Sequence, residues 1–324
     1  MFTMKLGVFT CLLSQKNLDE VLNYLSASGV QTIELATGGY VGNAHAKPEE
    51  LLQSKVQLEN LKELVKKYDM EISALSCHAN PVHPNRSEAD MFHKAVENTV
   101  LLAEKLGVSR VITFSGCPGD SPSSVYPNWV TCPWPEDFQK ILEYQWNDVL
   151  IPYWTKMADF CDNHGVDKIS LEMHPGFCVY NPETLLKLRS SVGDTIGANY
   201  DPSHLFWQGM DPVASIRKLG PAIFHFHAKD CRIDAANTAL NGVLDTKHYS
   251  DVINRSWVFR TIGYGHDYSI WKDIISNLRM IGYDYVISIE HEDSLLSANE
   301  GLQKAISFLK EVMVFEDREK MWWA

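Results

Sequence analysis

The sequence predicts an α/β chain closed into a (β/α)8 barrel. Three observations carry the expectation. Short apolar runs alternate with longer stretches of helical spacing along the whole chain. The alternation yields eight of each. The last four apolar runs each end in a residue type that ligates metals. Strict alternation implies right-handed βαβ units and a parallel sheet. Eight such units suggest closure rather than an open sheet. A chain of 324 residues has the length of one barrel, so a single domain over 1–324 is expected.

The elements follow in order. Leu6–Thr10 is the first strand. Leu18, Val21, Leu22 and Leu25 give a helix over Asn17–Ala27, ending at Gly29. Thr32–Ala36 is the second strand, and Pro48 opens a helix to about Tyr68. Glu71–Ser76 is the third strand. Ser87 is read as the cap of a helix that reaches Leu106 and stops at Gly107. Arg110–Ser115 is the fourth strand, and Phe138–His164 a helix broken near Pro152. Lys168–Glu172 and Thr195–Asp201 are the fifth and sixth strands, with helices over Pro182–Arg189 and Asp211–Leu219. Ala222–Lys229 and Tyr285–Glu290 complete the strands, each followed by a helix, Ile270–Met280 and Asn299–Val314.

Two long segments interrupt the rhythm, at about 116–135 and 231–265. Both follow strands, so both belong on the face where barrel active sites are built. The first is rich in proline and carries Tyr126, Trp129 and Trp134. Such rings can stack on the apolar face of a sugar, so Trp129 is a substrate-binding candidate; a partner-docking surface and an inert excursion are the alternatives.

Composition narrows the function. The net charge of -12 argues against a nucleic-acid surface, which needs clustered Lys and Arg. No run of about 18 apolar residues exists, so no membrane span is expected. Met1–Cys11 lacks a long apolar stretch of the signal-peptide kind. Seven cysteines without a C-x-x-C pair read as free thiols of a cytoplasmic protein.

The chemistry sits at four strand ends: Glu172, Asp201, His227 and Glu290. A carboxylate that closes an apolar strand is costly unless it is paired or ligating. Each has an ordinary alternative: an ion pair or N-cap for Glu172, a turn before Pro202 for Asp201, a core imidazole for His227, a solvated charge run for Glu290. Their common placement favours one site. Three oxygen donors and one imidazole suit manganese, magnesium, cobalt or zinc. Such an ion can polarise a carbonyl and stabilise the enediolate left when a neighbouring C–H is deprotonated.

The motifs Leu-Glu-Met-His-Pro, Asp-Pro-Ser-His, His-Ala-Lys-Asp and Ile-Glu-His-Glu resemble those of the xylose isomerase-like TIM barrels, which include sugar phosphate isomerases and epimerases, ketose 3-epimerases, inosose dehydratases and endonuclease IV. The resemblance implies Glu172, Asp201, His227 and Glu290 as ligands of manganese or a similar cation. It implies substrate contact for His204, three residues after Asp201. It also exposes a departure: where the ketose 3-epimerases carry a second catalytic glutamate, this chain has Cys178. Strand alternation sends His174 to the side of Glu172, so it could serve as the base instead, or be a turn histidine before Pro175. Lys229 follows His227 by two and could bind a carbonyl or oxyanion, or pair with Asp230. Arg232 and His78 are further substrate-binding candidates, and Glu34 and Ser115 could line the pocket.

Three functions are consistent with these residues. The first is a divalent-metal-dependent sugar isomerase or epimerase. The second is a metal-dependent lyase, dehydratase or hydratase acting on a 3-keto sugar or keto-glycoside; the resemblance allows a small partner subunit for that type. The third is a sugar-binding barrel without catalysis. The terminal Met321-Trp322-Trp323-Ala324 is expected to pack on the barrel base or on another subunit of a homo-oligomer.

Overall fold

Short runs of about five to eight mostly apolar residues, too short for most helices, suit strands buried on both faces. The computed structural model describes residues 4–317 and 319–324. Its strands are β1 Lys5–Phe9, β2 Thr32–Gly39, β3 Glu71–His78, β4 Arg110–Phe114, β5 Lys168–Glu172, β6 Ile196–Tyr200, β7 Ile223–Ala228, β8 Asp230–Ile233, β9 Trp257–Arg260 and β10 Val286–Ile289. Strands β1 to β7 and β10 form a closed parallel barrel, sealed where β1 pairs with β10. All eight barrel strands coincide with the sequence reading to within a few residues.

The helices are α1 Leu18–Ala27, α2 Pro48–Gln53, α3 Lys55–Lys67, α4 Arg86–Leu106, α5 Asp137–Glu143, α6 Ile151–Asn163, α7 Pro182–Val192, α8 Pro202–Phe206, α9 Pro212–Leu219, α10 Ala235–Asn241, α11 Tyr268–Met280 and α12 Ala298–Val312. Local chemistry sets their ends. Asn17 and Glu20 cap α1 reciprocally. Gly107, at φ 71°, ends α4 in the left-handed region.

Three boundaries differ from expectation. Asn85, not Ser87, caps α4, because its side chain accepts the Ser87 backbone N–H. Ser54 divides the expected 48–68 helix and caps α3 by accepting from Gln57. Pro152 does not break its helix. A π-helical stretch, Tyr144–Leu150, runs straight into α6 with Pro152 in the first turn.

The two long segments behave differently from one another. The second contains an antiparallel ribbon, β8 with β9, and α10. Trp257 of β9 stacks on Trp207 at 4.5 Å, which seats the ribbon over the carboxyl ends of the neighbouring barrel strands. The Pro-rich segment stays irregular and is held by Gln145, whose amide donates to the carbonyls of Pro118, Gly119 and Asn128. The C-terminal Trp322 and Trp323 are 89% and 68% exposed; they do not pack on the barrel base.

Candidate metal centre

Alternation along a strand sends every second side chain into the barrel. On β7 it turns His225 and His227 inward, while Phe226 stacks outward on Tyr200 and meets Trp271. The same rule turns Glu172 of β5, Asn199 of β6, Glu34 of β2, Ser76 and His78 of β3 and Ser288 of β10 toward the axis. Asp201 and Glu290 lie one residue past their strands. One ligand atom from each of Glu172, Asp201, His227 and Glu290 falls within 4.8 Å of the others.

The hydrogen bonds define how each group is held. Glu172 accepts from His204 at 3.0 Å, His78 at 3.0 Å and Asn199 at 3.1 Å. Asp201 Oδ1 accepts the Ser203 backbone N–H at 2.8 Å. Its Oδ2 is buried without a hydrogen-bond partner, although His204 and Lys229 stand 3.2 and 3.0 Å away. His227 Nδ1 faces Glu290 at 2.8 Å and Glu172 at 3.3 Å. Its Nε2 donates to both oxygens of Glu34. Glu34 is anchored in turn by Ser76 and Ser288.

Charge sets the protonation states. Burial would raise the Glu172 carboxyl, but hydrogen bonds from His204, His227 and His78 hold it well below the usual range. Burial acts the same way on Asp201, and the Lys229 and His204 charges overcome it, leaving Asp201 at about 2. Burial would lower His204, yet Asp201 lifts it to about 9. Burial also opposes the charge on His227, which Glu34 and Glu290 hold well above the ordinary imidazole value. His174 goes the other way: burial and the His204 charge push it down to about 3. The His174 and His204 ring centroids are 4.1 Å apart, so two adjacent imidazoles are pushed in opposite directions.

The cluster fits a divalent cation. Its donors are hard oxygens and an imidazole, three of them anionic. The Asp201 Oδ2 lone pairs lack a hydrogen bond. Glu34 fixes the Nε2–H tautomer and leaves Nδ1 of His227 toward the three carboxylates, the usual arrangement of a ligating histidine.

A cavity of about 470 Å³ opens beside the cluster, lined by His174, Tyr249, Val258, Phe259, Glu292 and Asp293. Its walls touch two side chains that contact the cluster, His204 and Lys229. Phe259 packs on His204 and on the Lys229 ammonium, and Glu292 pairs with Lys229 at 3.2 Å.

The remaining sequence candidates divide. His78 and His204 enter the cluster itself as donors to Glu172. Lys229 is buried and bridges Asp201, Glu290 and Glu292. Its alternative partner Asp230 instead accepts backbone N–H groups of Gly263, Gly265 and His266. Ser115 accepts the Val179 N–H and is structural. Arg232 is not brought to the cluster. It is exposed on β8 and reaches the Gly265 carbonyl at 3.4 Å. Trp129 is not brought there either; its Pro-rich segment is held by Gln145. Trp129 packs edge-on to Tyr180 and lines a separate cavity of about 210 Å³ with Trp146, Cys178 and Lys187. The aromatic wall beside the cluster comes from the ribbon, through Tyr249 and Phe259. Asn199, Ser76 and Ser288 escaped the sequence reading, although the period of two that marked His225 also marks them.

The family described as the xylose isomerase-like TIM barrel matches residues 22–312. The uncharacterised protein YfiH of Bacillus subtilis is 40% identical over 315 residues, covering 96% of this chain and 99% of its own. Three solved structures share the fold. The probable 3-DHS dehydratase AsbF of Bacillus anthracis has a TM-score of 0.65 at 19% identity, covering 95% of this chain and 99% of its own. A D-tagatose 3-epimerase-like protein has 0.63 at 21%, covering 95% and 98%. The IOLI protein, solved with a zinc atom, has 0.65 at 21%, also covering 95% and 98%. The chain belongs to the xylose isomerase-like TIM barrel family.

Proposed function

We propose that this chain is a divalent-metal-dependent enzyme that isomerises or epimerises a sugar by taking a proton next to a carbonyl. The observation that carries the reading is a buried cluster of three carboxylates and an imidazole at the strand ends, beside a cavity that His174 lines. The ligands would be Glu172, Asp201, His227 and Glu290, with manganese first among manganese, magnesium, cobalt and zinc. An ion there would supply positive charge to the substrate carbonyl as the adjacent C–H is deprotonated.

His174 is the proposed base. Its Nδ1–H donates to the Pro175 carbonyl at 2.5 Å, which leaves the lone pair on Nε2. His204 and Lys229 carry the charge that would steady the developing oxyanion. Phe259 and Tyr249 would cover the apolar face of the sugar.

One observation favours elimination as a second reading. Cys178 occupies the position of a second acidic base and is buried under the Trp129 cavity, so a base on the opposite face of the substrate is lacking at that point. One base and one acid suffice for a lyase or dehydratase. Further parts of the proposal are a single barrel unit, a cytoplasmic setting suited to seven free thiols, and self-association or a small partner subunit. Among the described residues, no helix is long and apolar enough to cross a membrane.

Incubation with keto-sugars in deuterated water tests the reading. Deuterium incorporation without loss of a group supports isomerisation, and release of water or an aglycone supports the lyase. Glu172→Gln should remove stoichiometric metal and activity together. His174→Ala should abolish exchange; exchange at the wild-type rate would overturn the assignment of the base.

A further inference from the structure

Lys229 is 2% exposed, yet its ammonium does not sit against a single counter-ion. It stands 3.0 Å from Asp201 Oδ2 and 3.0 Å from Glu290 Oε2. Both residues belong to the four-residue cluster. Of the Asp201 oxygens, Oδ1 accepts the Ser203 N–H and Oδ2 accepts no hydrogen bond. Oδ2 is therefore the oxygen left for a metal, and it is the one beside the lysine. Glu290 Oε2 is likewise shared, between Lys229 and His227 Nδ1. The third partner, Glu292, is 54% exposed on the cavity side. An ammonium needing only a structural ion pair could have rested there, half in water, at far lower desolvation cost.

We propose that Lys229 is a built-in cation that competes with the divalent ion for Asp201 and Glu290. It neutralises the carboxylates when the ion is away and weakens the ion's hold when it is present. The argument rests on the metal-site reading above, but on different atoms. Two like charges drawing on the same two oxygens in a buried site repel. The three carboxylates, if left without either cation, keep only neighbouring imidazoles such as those of His204 and His227 to offset their repulsion. A neutral side chain of similar length should therefore destabilise the metal-free protein and leave the loaded one with less repulsion. By the thermodynamic cycle, both effects tighten binding.

The probe is manganese(II), titrated into purified full-length protein by calorimetry or chelator competition. Lys229→Met should bind it roughly tenfold more tightly or better, and metal-free Lys229→Met should unfold at lower temperature. Lys229→Arg, which keeps the charge, should not show the tightening seen in Lys229→Met. Unchanged or weaker binding by Lys229→Met overturns the proposal. If metal-free Lys229→Met does not stay folded, the loaded protein is challenged with excess chelator: slower release than wild type supports competition, and equal or faster release overturns it. The metal-site reading fails separately. Should wild type bind no manganese while Lys229→Met binds one ion, the competition stands and the function does not. Should neither bind, both fall.

Discussion

His204 and Asp201 are locked together by charge, and that lock has a pH signature. His204 moves from its ordinary 6.5 up to about 9, against burial and because of Asp201. Its contribution to stability is complete below about pH 6.5 and is lost as pH climbs to about 9. Asp201 moves from 3.8 down to about 2, against burial and because of Lys229 and His204. Its contribution is complete above about pH 4 and is lost as pH falls toward about 2. The metal-free protein should therefore lose melting temperature steadily from about pH 6.5 to 9. Manganese should reverse the slope. Ligation needs a bare nitrogen, and Glu34 and Glu290 hold the His227 proton well above the usual range despite burial. Binding must expel that proton, so the increment in melting temperature given by a fixed manganese excess should grow over the same interval. Calorimetry with and without the ion checks both slopes. A metal-free melting temperature that stays flat or rises across the interval would show that His204 does not carry its extra proton.

Strands decide which of these residues meet, and glycine decides whether two of those strands can approach. Gly39, the last residue of β2, has φ 71°, and a Cβ there would collide with the His78 carbonyl. His78 donates to Glu172, so a methyl at 39 should disturb the cluster as well as the backbone. Gly39→Ala is expected to cost about 1–3 kcal/mol of stability and to weaken manganese binding by about tenfold. Gly42, at φ 72° with open space around it, supplies the control. Gly42→Ala should lose stability from backbone strain but bind the ion normally. Parallel titrations decide, and equal affinity in the two variants would sink the claim that β2 positions His78. The same elements explain what was legible in the sequence. Strand period fixes direction without knowledge of neighbours, so Glu172, Asp201, His227 and Glu290 could be placed from their runs alone. Irregular chain has no period. Trp129 was a substrate-binding candidate and packs on Tyr180 away from the cluster, in a segment held by hydrogen bonds from Gln145, a partner with no local mark. Arg232 fell in an apparent loop that is a ribbon, whose pairing partner Trp257–Arg260 is remote in sequence.

Among the described residues, Trp322 and Trp323 are large apolar side chains that the barrel leaves uncovered. Trp322 and Trp323 protrude at the C-terminus, with Met321 beside them. Each tryptophan offers about 150–250 Å² of surface, and at about 25 cal/mol per Å² its burial would contribute several kcal/mol. The barrel does not take this up, so a second protein surface is the remaining way to remove it from water. We expect the full-length protein to associate with itself through this tail. Light scattering over a dilution series should give more than one chain per particle at micromolar concentration. Deletion of residues 321–324 should raise the concentration for half-dissociation by at least about tenfold, since each 1.4 kcal/mol lost is worth one decade. Manganese stoichiometry per chain should stay the same, because the cluster is built from strand ends within 172–290 and the tail contributes none of its ligand atoms. A particle mass of one chain for the full-length protein, or an oligomer indifferent to the deletion, would remove the tail from the assembly and leave its two tryptophans without a structural account.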